Sequence, residues 1–374
     1  MAVTVPVLER AQLWWRTWWT RGSAPRALPP ELFRTVYLLW VLALAVKMLG
    51  SSWDISWHFR WLRDDLAPPH LLNSAGTALV IALVLFHSYT GYGVDRRGLH
   101  LMQAGTVIFM VAIPIDVINH RVNGLDITAW TASHGLLFLG TAVMIAGVLR
   151  GWWLYAPPDR SRGVVLAALW VFFLENVWFP AQQQEYGVLG VAAWDRGRPD
   201  AEPSLLQFAA DQQGRPIDRT AVLHYALPVE SWVYPVWAVT AAALVLLLAR
   251  WMVGWRWAAT TVAAAYLAYR CAAWVLLVGA GFPPSALPFM LLAGAVAVDV
   301  IHQLPMPWWL RPLVGAPVVA GAVLVTVAVQ GDVLVAPPTD FGAGIFATLG
   351  LAALWLAAAA LARSAAFARW TRPA

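Results

Sequence analysis

Aspartate and histidine residues that could bind a metal ion occur twice along the chain, in the same order. Each group has an Asp, a His four positions later, and a second His beyond a short polar stretch. The first group is Asp54, His58 and His70, and the second is Asp116, His120 and His134. Positions i and i+4 share one face of a helix, so each Asp would lie beside its first His. One carboxylate and two imidazoles leave coordination positions open, as a catalytic or substrate-binding metal requires.

The residues that surround the two groups also match. Each first His is followed six positions later by an acid, Asp64 or Asp126. Each second His is also followed six positions later by a glycine, Gly76 or Gly140. An internal duplication is the simplest explanation, with each copy formed by a helix end, a loop and the start of the next helix. We interpret Asp64, Asp65 and Asp126 as hydrogen-bonding partners of the ligands or as loop caps. The alternative is that both groups are ordinary loop residues or ion pairs with nearby arginines.

The composition places these groups in a membrane protein. Of 374 residues, 60% are hydrophobic and 12% are charged, and the mean hydropathy is +0.63, whereas about a quarter of the residues of a soluble domain are charged. A helix needs roughly 20 apolar residues to cross the bilayer, and by this criterion we predict an all-α, polytopic bundle of about ten transmembrane helices. The predicted spans are 35–50, 71–92, 99–118, 134–150, 161–180, 231–250, 256–281, 285–303, 313–330 and 342–364.

The same pattern divides the chain into three regions. Residues 1–34 are predicted to be an interfacial amphipathic segment, because Arg and Trp alternate there at helical spacing. Residues 35–150 are predicted to be a metal-binding membrane region that carries both copies of the motif. Residues 151–374 are predicted to be an additional transmembrane bundle. Within that bundle, the polar stretch 181–230 is predicted to form a folded extracytoplasmic loop.

The distribution of charge predicts the orientation. If the N-terminus is cytoplasmic, most of the 25 Lys and Arg residues lie on the cytoplasmic side. The positive-inside rule then places both termini in the cytoplasm and both Asp/His groups toward the extracytoplasmic side. We expect an integral protein of the bacterial inner (plasma) membrane. The net charge of +5 fits this topology, and no basic stripe with interleaved aromatic residues indicates nucleic-acid binding.

The first copy of the motif resembles a signature of the copper membrane monooxygenases. The similarity is to the C subunit of the particulate methane monooxygenase and ammonia monooxygenase family, and it extends over residues 35–150. The residues that carry it are Asp54, Ser56, Trp57, His58, Arg63, Asp64, Pro68 and His70, with Gly76 beyond. The gap between His58 and His70 is one residue shorter than in the family.

The second copy is similar to a neighbouring copper site of the same family. That site has an Asn, three residues, a His, thirteen residues and a second His. In this chain Asp116, His120 and His134 occupy the three places. Asp116 therefore replaces an Asn and adds negative charge to the second group.

The resemblance implies an enzymatic function. It implies copper bound by both groups, with catalysis at Asp54, His58 and His70, although these ligand types also suit iron or zinc. The metal would bind O2 and insert one oxygen atom into a C–H or N–H bond of a small apolar substrate. An external donor such as a quinol would supply electrons. The expected partners are the lipid bilayer and other monooxygenase subunits, since the family enzymes contain three subunit types.

Polar residues within the apolar runs leave other functions open. Charged side chains inside a membrane are energetically costly and are usually paired or functional. Glu175 is one such residue. For Arg270 and Asp299 we predict an ion pair with each other. Lys47 is expected to extend toward an interface. A polytopic transporter and a noncatalytic metal-binding membrane subunit are alternative functions. Retention of metal after purification would argue against a transporter, and reaction with O2 would distinguish an enzyme from a noncatalytic subunit.

Overall fold

The chain is helical along most of the length that the structure describes. The computed structural model describes residues 12, 16–62, 66–123 and 128–370, without the side chains at 120, 121, 123, 366, 369 and 370. Helices make up 77% of the chain, and the described part contains no strand. The prediction of an all-α, polytopic membrane bundle is confirmed.

The described part contains thirteen helices, which we number α1 to α13. In chain order they are α1 (Pro30–His58), α2 (Pro68–Thr90), α3 (Arg96–Asn123), α4 (Ala132–Tyr155), α5 (Arg160–Asp195), α6 (Pro203–Asp211), α7 (Arg219–Ala226), α8 (Val233–Val253), α9 (Ala258–Gly279), α10 (Phe289–Gln303), α11 (Leu310–Val333), α12 (Ala343–Ala362) and α13 (Ala365–Trp370). Helix α8 includes one π-helical turn at Ala238–Ala242. Of the predicted interfacial segment, residues 1–11 and 13–15 lie outside the described part of the chain.

Nine of the helices in the described part are long and apolar enough to cross a bilayer. The eighth of the ten predicted spans, 285–303, contains only the 15-residue helix α10. The helix begins at Phe289 because prolines at 283, 284 and 288 precede it, and proline disfavours helical backbone in the residue before it. This helix is shorter than the roughly 20 residues that a full crossing needs.

Local signals fix the ends of the helices that lead to the Asp/His groups. Helices α1 and α2 both begin with a proline, Pro30 and Pro68, where the missing N–H costs no hydrogen bond. Helix α2 ends at Gly91, whose φ of 68° is a left-handed conformation that favours glycine. The side chain of Asp159 accepts a hydrogen bond from the Ser161 backbone and caps α5.

The first four helices form two antiparallel hairpins, and each hairpin carries one copy of the motif. Helix α1 packs against α2, and α3 packs against α4. Helix α5 contacts both hairpins, through α1 and through α4, and also packs against α9. It is the most enclosed of the spanning helices in the described part. The two hairpins and α5 therefore surround the region where the Asp/His groups lie.

The glycine of each motif copy lies at the helix contact within its hairpin. A Cβ atom added at Gly76 would lie 2.9 Å from the backbone nitrogen of Lys47, and one added at Gly140 would lie 2.6 Å from that of Phe109. Small residues allow such close approach between membrane helices, where packing replaces the hydrophobic driving force. The repeated glycine is thus explained by helix packing rather than by metal binding.

We expect Gly140→Ala to lower the thermal unfolding midpoint of the metal-free protein in detergent. The added methyl group overlaps the α3 backbone, and overpacking of this kind costs about 1–3 kcal/mol. The matched control is Gly135→Ala on the same helix, because a Cβ at Gly135 meets no atom within 4 Å. Equal midpoints for the two variants would contradict the close packing of α3 and α4.

The polar stretch 181–230 is more helical than expected. Helix α5 does not end near residue 180 but continues through Pro180 to Asp195, because the apolar and helix-forming residues continue beyond the proline. The rest of the stretch forms α6 and α7, which pack with Ile55 and Phe59 near the end of α1 in a small apolar cluster. The extracytoplasmic position of this stretch stays a prediction.

Two buried ion pairs differ from the sequence-based expectation. Arg270 Nη1 lies 2.9 Å from Glu185 Oε2, and Asp299 Oδ1 lies 3.1 Å from Arg250 Nε. The predicted Arg270–Asp299 pair is therefore wrong. Arg270 faces α5, whereas Asp299 accepts a hydrogen bond from the backbone nitrogen of Thr260 in the first turn of α9.

Lys47 does not extend toward an interface as expected. Its side chain is buried within the α1–α2 hairpin, and Nζ donates to Asn73 Oδ1 and Thr77 Oγ1, each at 2.8 Å. The ammonium also lies 4.2 Å from the centroid of the Phe109 ring. Lys47 lies in the middle of a 29-residue helix, so these internal partners are closer to its ammonium than either helix end.

A further ion pair, between Arg150 and Asp95, is completely buried. Arg150 donates from Nη2 to Asp95 Oδ2 at 2.6 Å and from Nε to Asp95 Oδ1 at 3.0 Å, and both side chains are 0% exposed. The same Oδ1 atom accepts a hydrogen bond from the Gly98 backbone at 2.9 Å. The pair therefore links α4 to the first turn of α3.

Candidate metal site

The side chains of Asp54, His58 and His70 converge on one point between α1 and α2. Asp54 Oδ1 lies 2.8 Å from His70 Nε2 and 3.2 Å from His58 Nε2. The two Nε2 atoms are 3.3 Å apart. The three side chains are partly buried, between 19% and 26% exposed. Within the described part of the chain, they are the group of three that could hold a metal ion.

Local structure explains this convergence. Asp54 and His58 lie in the last two turns of α1, where the i and i+4 spacing places them on one face. The loop after His58 returns the chain to Pro68, which starts α2, so that His70 lies in the first turn of α2. The Tyr225 hydroxyl of α7 donates to the His58 carbonyl oxygen at 2.7 Å and holds the end of α1. Burial raises the pKa of Tyr225 well above 10, so this donor keeps its proton.

The second group is partly described. Asp116 is buried on α3, and His134 lies in the first turn of α4 with Nε2 at 3.6 Å from Asp116 Oδ1. His120 belongs to α3 one turn after Asp116, but its side chain lies outside the described part, as do Asp64, Asp65 and Asp126. The structure thus brings two of the three predicted residues of this group together.

Hydrogen bonds orient the ring of His134. Its Nδ1 lies 2.9 Å from the Thr128 carbonyl oxygen and 3.0 Å from Thr131 Oγ1. A carbonyl oxygen only accepts, so Nδ1 carries a proton and donates it, and Nε2 is the ring nitrogen that faces Asp116. Metal-bound imidazoles are held in this way, with the far nitrogen donating to a carbonyl or carboxylate.

We expect Thr131→Val to weaken metal binding at the second group by about 10-fold, the lower end of the effect of removing a partner that orients a ligand. Thr131 also caps α4, so Ser161→Ala, next to the cap of α5, serves as a control for helix-end effects. Metal titration of each purified variant measures the affinity. An unchanged affinity in Thr131→Val would contradict the orienting role.

The first group and His134 of the second group line one cavity between the hairpins. The cavity has a volume of about 250 Å³ and is lined by Asp54, His58 and His70 on one side and by His134 on another. Its apolar wall includes residues of four helices, α1, α3, α4 and α5, namely Leu44, Ile55, Phe109, Phe138, Phe172 and Phe179. The cavity therefore combines a carboxylate–imidazole group with an apolar surface, as ligand-binding cavities commonly do.

The first group has the set of donor atoms that could hold a metal ion. Arg60, which could have paired with Asp54, has its guanidinium 4.6 Å from the centroid of the Trp61 ring. Both described partners of the Asp54 carboxylate are imidazole nitrogens. Three atoms with lone pairs within about 3 Å of one another repel unless a proton or a cation lies among them, and this donor set matches known metal sites.

Several cavity-lining polar residues were not recognised as site residues from the sequence. Lys47, Asn73, Glu175, Asn176 and Gln183 all line the cavity. The signal that was available is their polarity within apolar runs, since such residues usually face a bundle interior. Their mutual proximity depends on packing among α1, α2 and α5, which no local spacing predicts.

The fold and the site together define an all-α polytopic membrane protein with a carboxylate–imidazole group at an internal cavity. Comparisons of the chain with protein-family models, with curated proteins and with solved structures find no match.

Proposed function

We propose that the protein is a copper-dependent membrane monooxygenase, or a subunit of one, that inserts one oxygen atom from O2 into a C–H or N–H bond of a small apolar substrate. The observation that carries the proposal is the convergence of Asp54, His58 and His70 within 3.3 Å at the wall of a largely apolar cavity. The motif resemblance supports copper as the metal.

Each residue of the first group has a defined role in this proposal. Asp54 supplies an anionic oxygen, and His58 and His70 supply two neutral nitrogens, which leaves positions open for a further ligand. Copper at this group, when bound and reduced, supplies the activation of O2. The second group, Asp116, His120 and His134, holds a neighbouring copper ion. The carboxylate of Asp116 favours a cation there, because it adds negative charge to a buried site.

The cavity supports a small apolar molecule as the substrate. Its volume of about 250 Å³ accommodates a small molecule, and the surrounding phenylalanine and leucine side chains favour an apolar one. The apolar wall also limits water near a reactive oxidant, which prevents side reactions. The electrons come from an external donor such as a quinol. The position in the bilayer suits an apolar donor and an apolar substrate, since both concentrate there.

The test is an oxygenase assay on the detergent-purified protein after copper loading under reducing conditions. Small hydrocarbons and ammonia are supplied with O2 and a quinol, and oxidised product is detected by mass spectrometry with ¹⁸O2. Product that contains ¹⁸O and that disappears in His58→Ala would support the proposal. The control is His224→Ala, because His224 is an exposed residue of α7 that does not line the cavity.

The same experiment separates the alternative functions. Copper that is retained but does not react with O2 would indicate a noncatalytic metal-binding subunit, or an enzyme that needs its partner subunits. Addition of membranes from the source organism distinguishes these two results. No metal after copper loading would contradict the proposal and would make transport the function to test next.

A further inference from the structure

A network of buried polar side chains joins the cavity to the interior of the bundle, between α5 and α9. Helix α5 contributes Glu175, Gln182 and Glu185, and α9 contributes Tyr266 and Arg270. Glu175 and Glu185 are 4% and 0% exposed. Only Glu175 of these five lines the cavity. The metal-binding proposal does not use any of them.

Glu185 is fully paired. Its Oε2 atom lies 2.9 Å from Arg270 Nη1. Its Oε1 atom accepts hydrogen bonds from Trp178 Nε1 at 2.9 Å and from the Tyr234 hydroxyl at 3.1 Å. One cation and two neutral donors therefore stabilise an ionised carboxylate at Glu185.

Glu175 has a different set of partners. Its Oε1 atom accepts a hydrogen bond from Ser52 Oγ at 3.3 Å, and its Oε2 atom accepts one from Gln182 Nε2 at 2.9 Å. No Lys or Arg of the described part forms an ion pair with it. The guanidinium of Arg270 donates to the Tyr266 hydroxyl at 3.3 Å and forms its ion pair with Glu185. Glu175 is thus a buried carboxyl group whose described direct partners are neutral.

The charge count of the network follows from these contacts. Two carboxyl groups share one guanidinium, so the network has one excess negative charge if both are ionised. An uncompensated charge inside a membrane costs several kcal/mol, and a bound proton removes that cost. Because Glu185 has the cation, Glu175 is the carboxyl group of this network without one. The titratable groups next to Glu175 in the network are Tyr266, Tyr269 and Arg270 of α9 and Glu185 of its own helix. The titratable groups of the other helices that line the same cavity are Lys47, Asp54 and His58 of α1, His70 of α2, His134 of α4 and Tyr225 of α7.

A hydroxyl pair connects Glu175 to a second donor. The Tyr269 hydroxyl donates to Ser52 Oγ at 2.8 Å, and Ser52 Oγ donates to Glu175 Oε1. Hydroxyl groups both donate and accept, so a proton can pass along Tyr269, Ser52 and Glu175 by reorientation of the hydrogen bonds. On its other side Glu175 faces the cavity that contains the Asp54, His58 and His70 side chains.

We propose that Glu175 is a proton-exchange residue of the cavity, which is protonated at rest and delivers its proton to the cavity during oxygen reduction. The proposal rests on the proposed function. With a quinol donor, RH + O2 + QH2 gives ROH + H2O + Q, so two electrons and two protons enter the reaction for each product. Glu175 passes these protons one at a time, and regains a proton from those that quinol oxidation releases.

The first test uses infrared spectroscopy on the metal-free protein. We expect wild type to show a carbonyl stretching band of a protonated carboxyl group that shifts in D2O. The band should disappear in Glu175→Gln, change frequency in Glu175→Asp, and remain in Glu185→Gln. A wild-type spectrum without such a band would overturn the inference, even if no variant folds. Loss of the band in folded Glu185→Gln but not in folded Glu175→Gln would overturn it as well.

The second test measures proton uptake in weakly buffered solution with a pH indicator, while the reduced, copper-loaded protein is reoxidised by O2. We expect proton uptake during reoxidation by O2 to be at least 10-fold slower in Glu175→Gln than in wild type. Glu175→Asp should restore the wild-type rate. Equal rates in wild type and Glu175→Gln would overturn the inference. Failure of the proposed function is recognised separately, because absence of copper leaves the infrared result of the metal-free protein unchanged.

Discussion

Substitution of His58 by alanine is expected to remove the metal from the first group and to leave the metal of the second group in place. The variant keeps one carboxylate and one imidazole, and loses a nitrogen that lies 3.2 Å from Asp54 Oδ1 and 3.3 Å from His70 Nε2. Loss of a partner that only orients a ligand costs about 10–100-fold in metal affinity, and loss of a ligand costs more. Plasma mass spectrometry of the purified protein measures the metal content, and copper EPR reports the remaining site.

The reciprocal variant makes this prediction specific. His120→Ala should remove the metal of the second group alone, so the two single variants should each lose the EPR signal that the other retains. His224→Ala should retain both signals, since His224 is exposed on α7. If His58→Ala and wild type hold the same amount of copper, the first group is not a copper site.

Arg150→Met is expected to produce the largest loss of stability among the substitutions considered. Arg150 and Asp95 are both 0% exposed and are joined by two short contacts, at 2.6 and 3.0 Å. Removing one member of a buried pair leaves an uncompensated charge and costs about 3–5 kcal/mol. Because proteins are stable by only about 5–15 kcal/mol, this is a large fraction of the total. The free energy of unfolding in mixed micelles measures the effect.

A double variant separates the buried charge from the packing. Asp95→Asn keeps an oxygen that can accept the hydrogen bond from the Gly98 backbone, and it removes the negative charge. We therefore expect Arg150→Met with Asp95→Asn to be more stable than Arg150→Met alone. If Arg150→Met costs less than about 1 kcal/mol, which is typical of an exposed pair, the Asp95 carboxylate is not held as described.

The features that the sequence predicts well are local ones. The long apolar runs predict ten spans, and nine of them contain helices of spanning length in the described part, because composition over a stretch of 20 residues is sufficient for a membrane helix. The remaining predicted span contains the shorter α10. The Asp54 and His58 spacing predicts a shared helix face, and the turn after His58 brings His70 back to them. All three distances join residues within a stretch of 17 residues, from Asp54 to His70.

The features that the sequence did not predict depend on packing between distant segments. Arg270 pairs with Glu185 rather than Asp299, because α9 presents Arg270 to α5 and not to the next helix along the chain. The Lys47 ammonium forms hydrogen bonds inside the hairpin, because two side-chain oxygens of α2 lie 2.8 Å from it. The charge of a residue and its position in an apolar run indicate that it needs a partner. They do not identify the partner, because several residues of the chain could serve.

The placement of each Asp/His group within a single hairpin has a consequence for biosynthesis. Only eleven residues separate His58 from His70, and thirteen separate His120 from His134, so the entropic cost of bringing each pair together is small. The first group is complete once α1 and the start of α2 have left the ribosome. Helix α5, which supplies part of the cavity wall, is synthesised about a hundred residues later, because synthesis proceeds from the N-terminus. A metal ion can therefore enter the first group while the nascent protein is still open on that side.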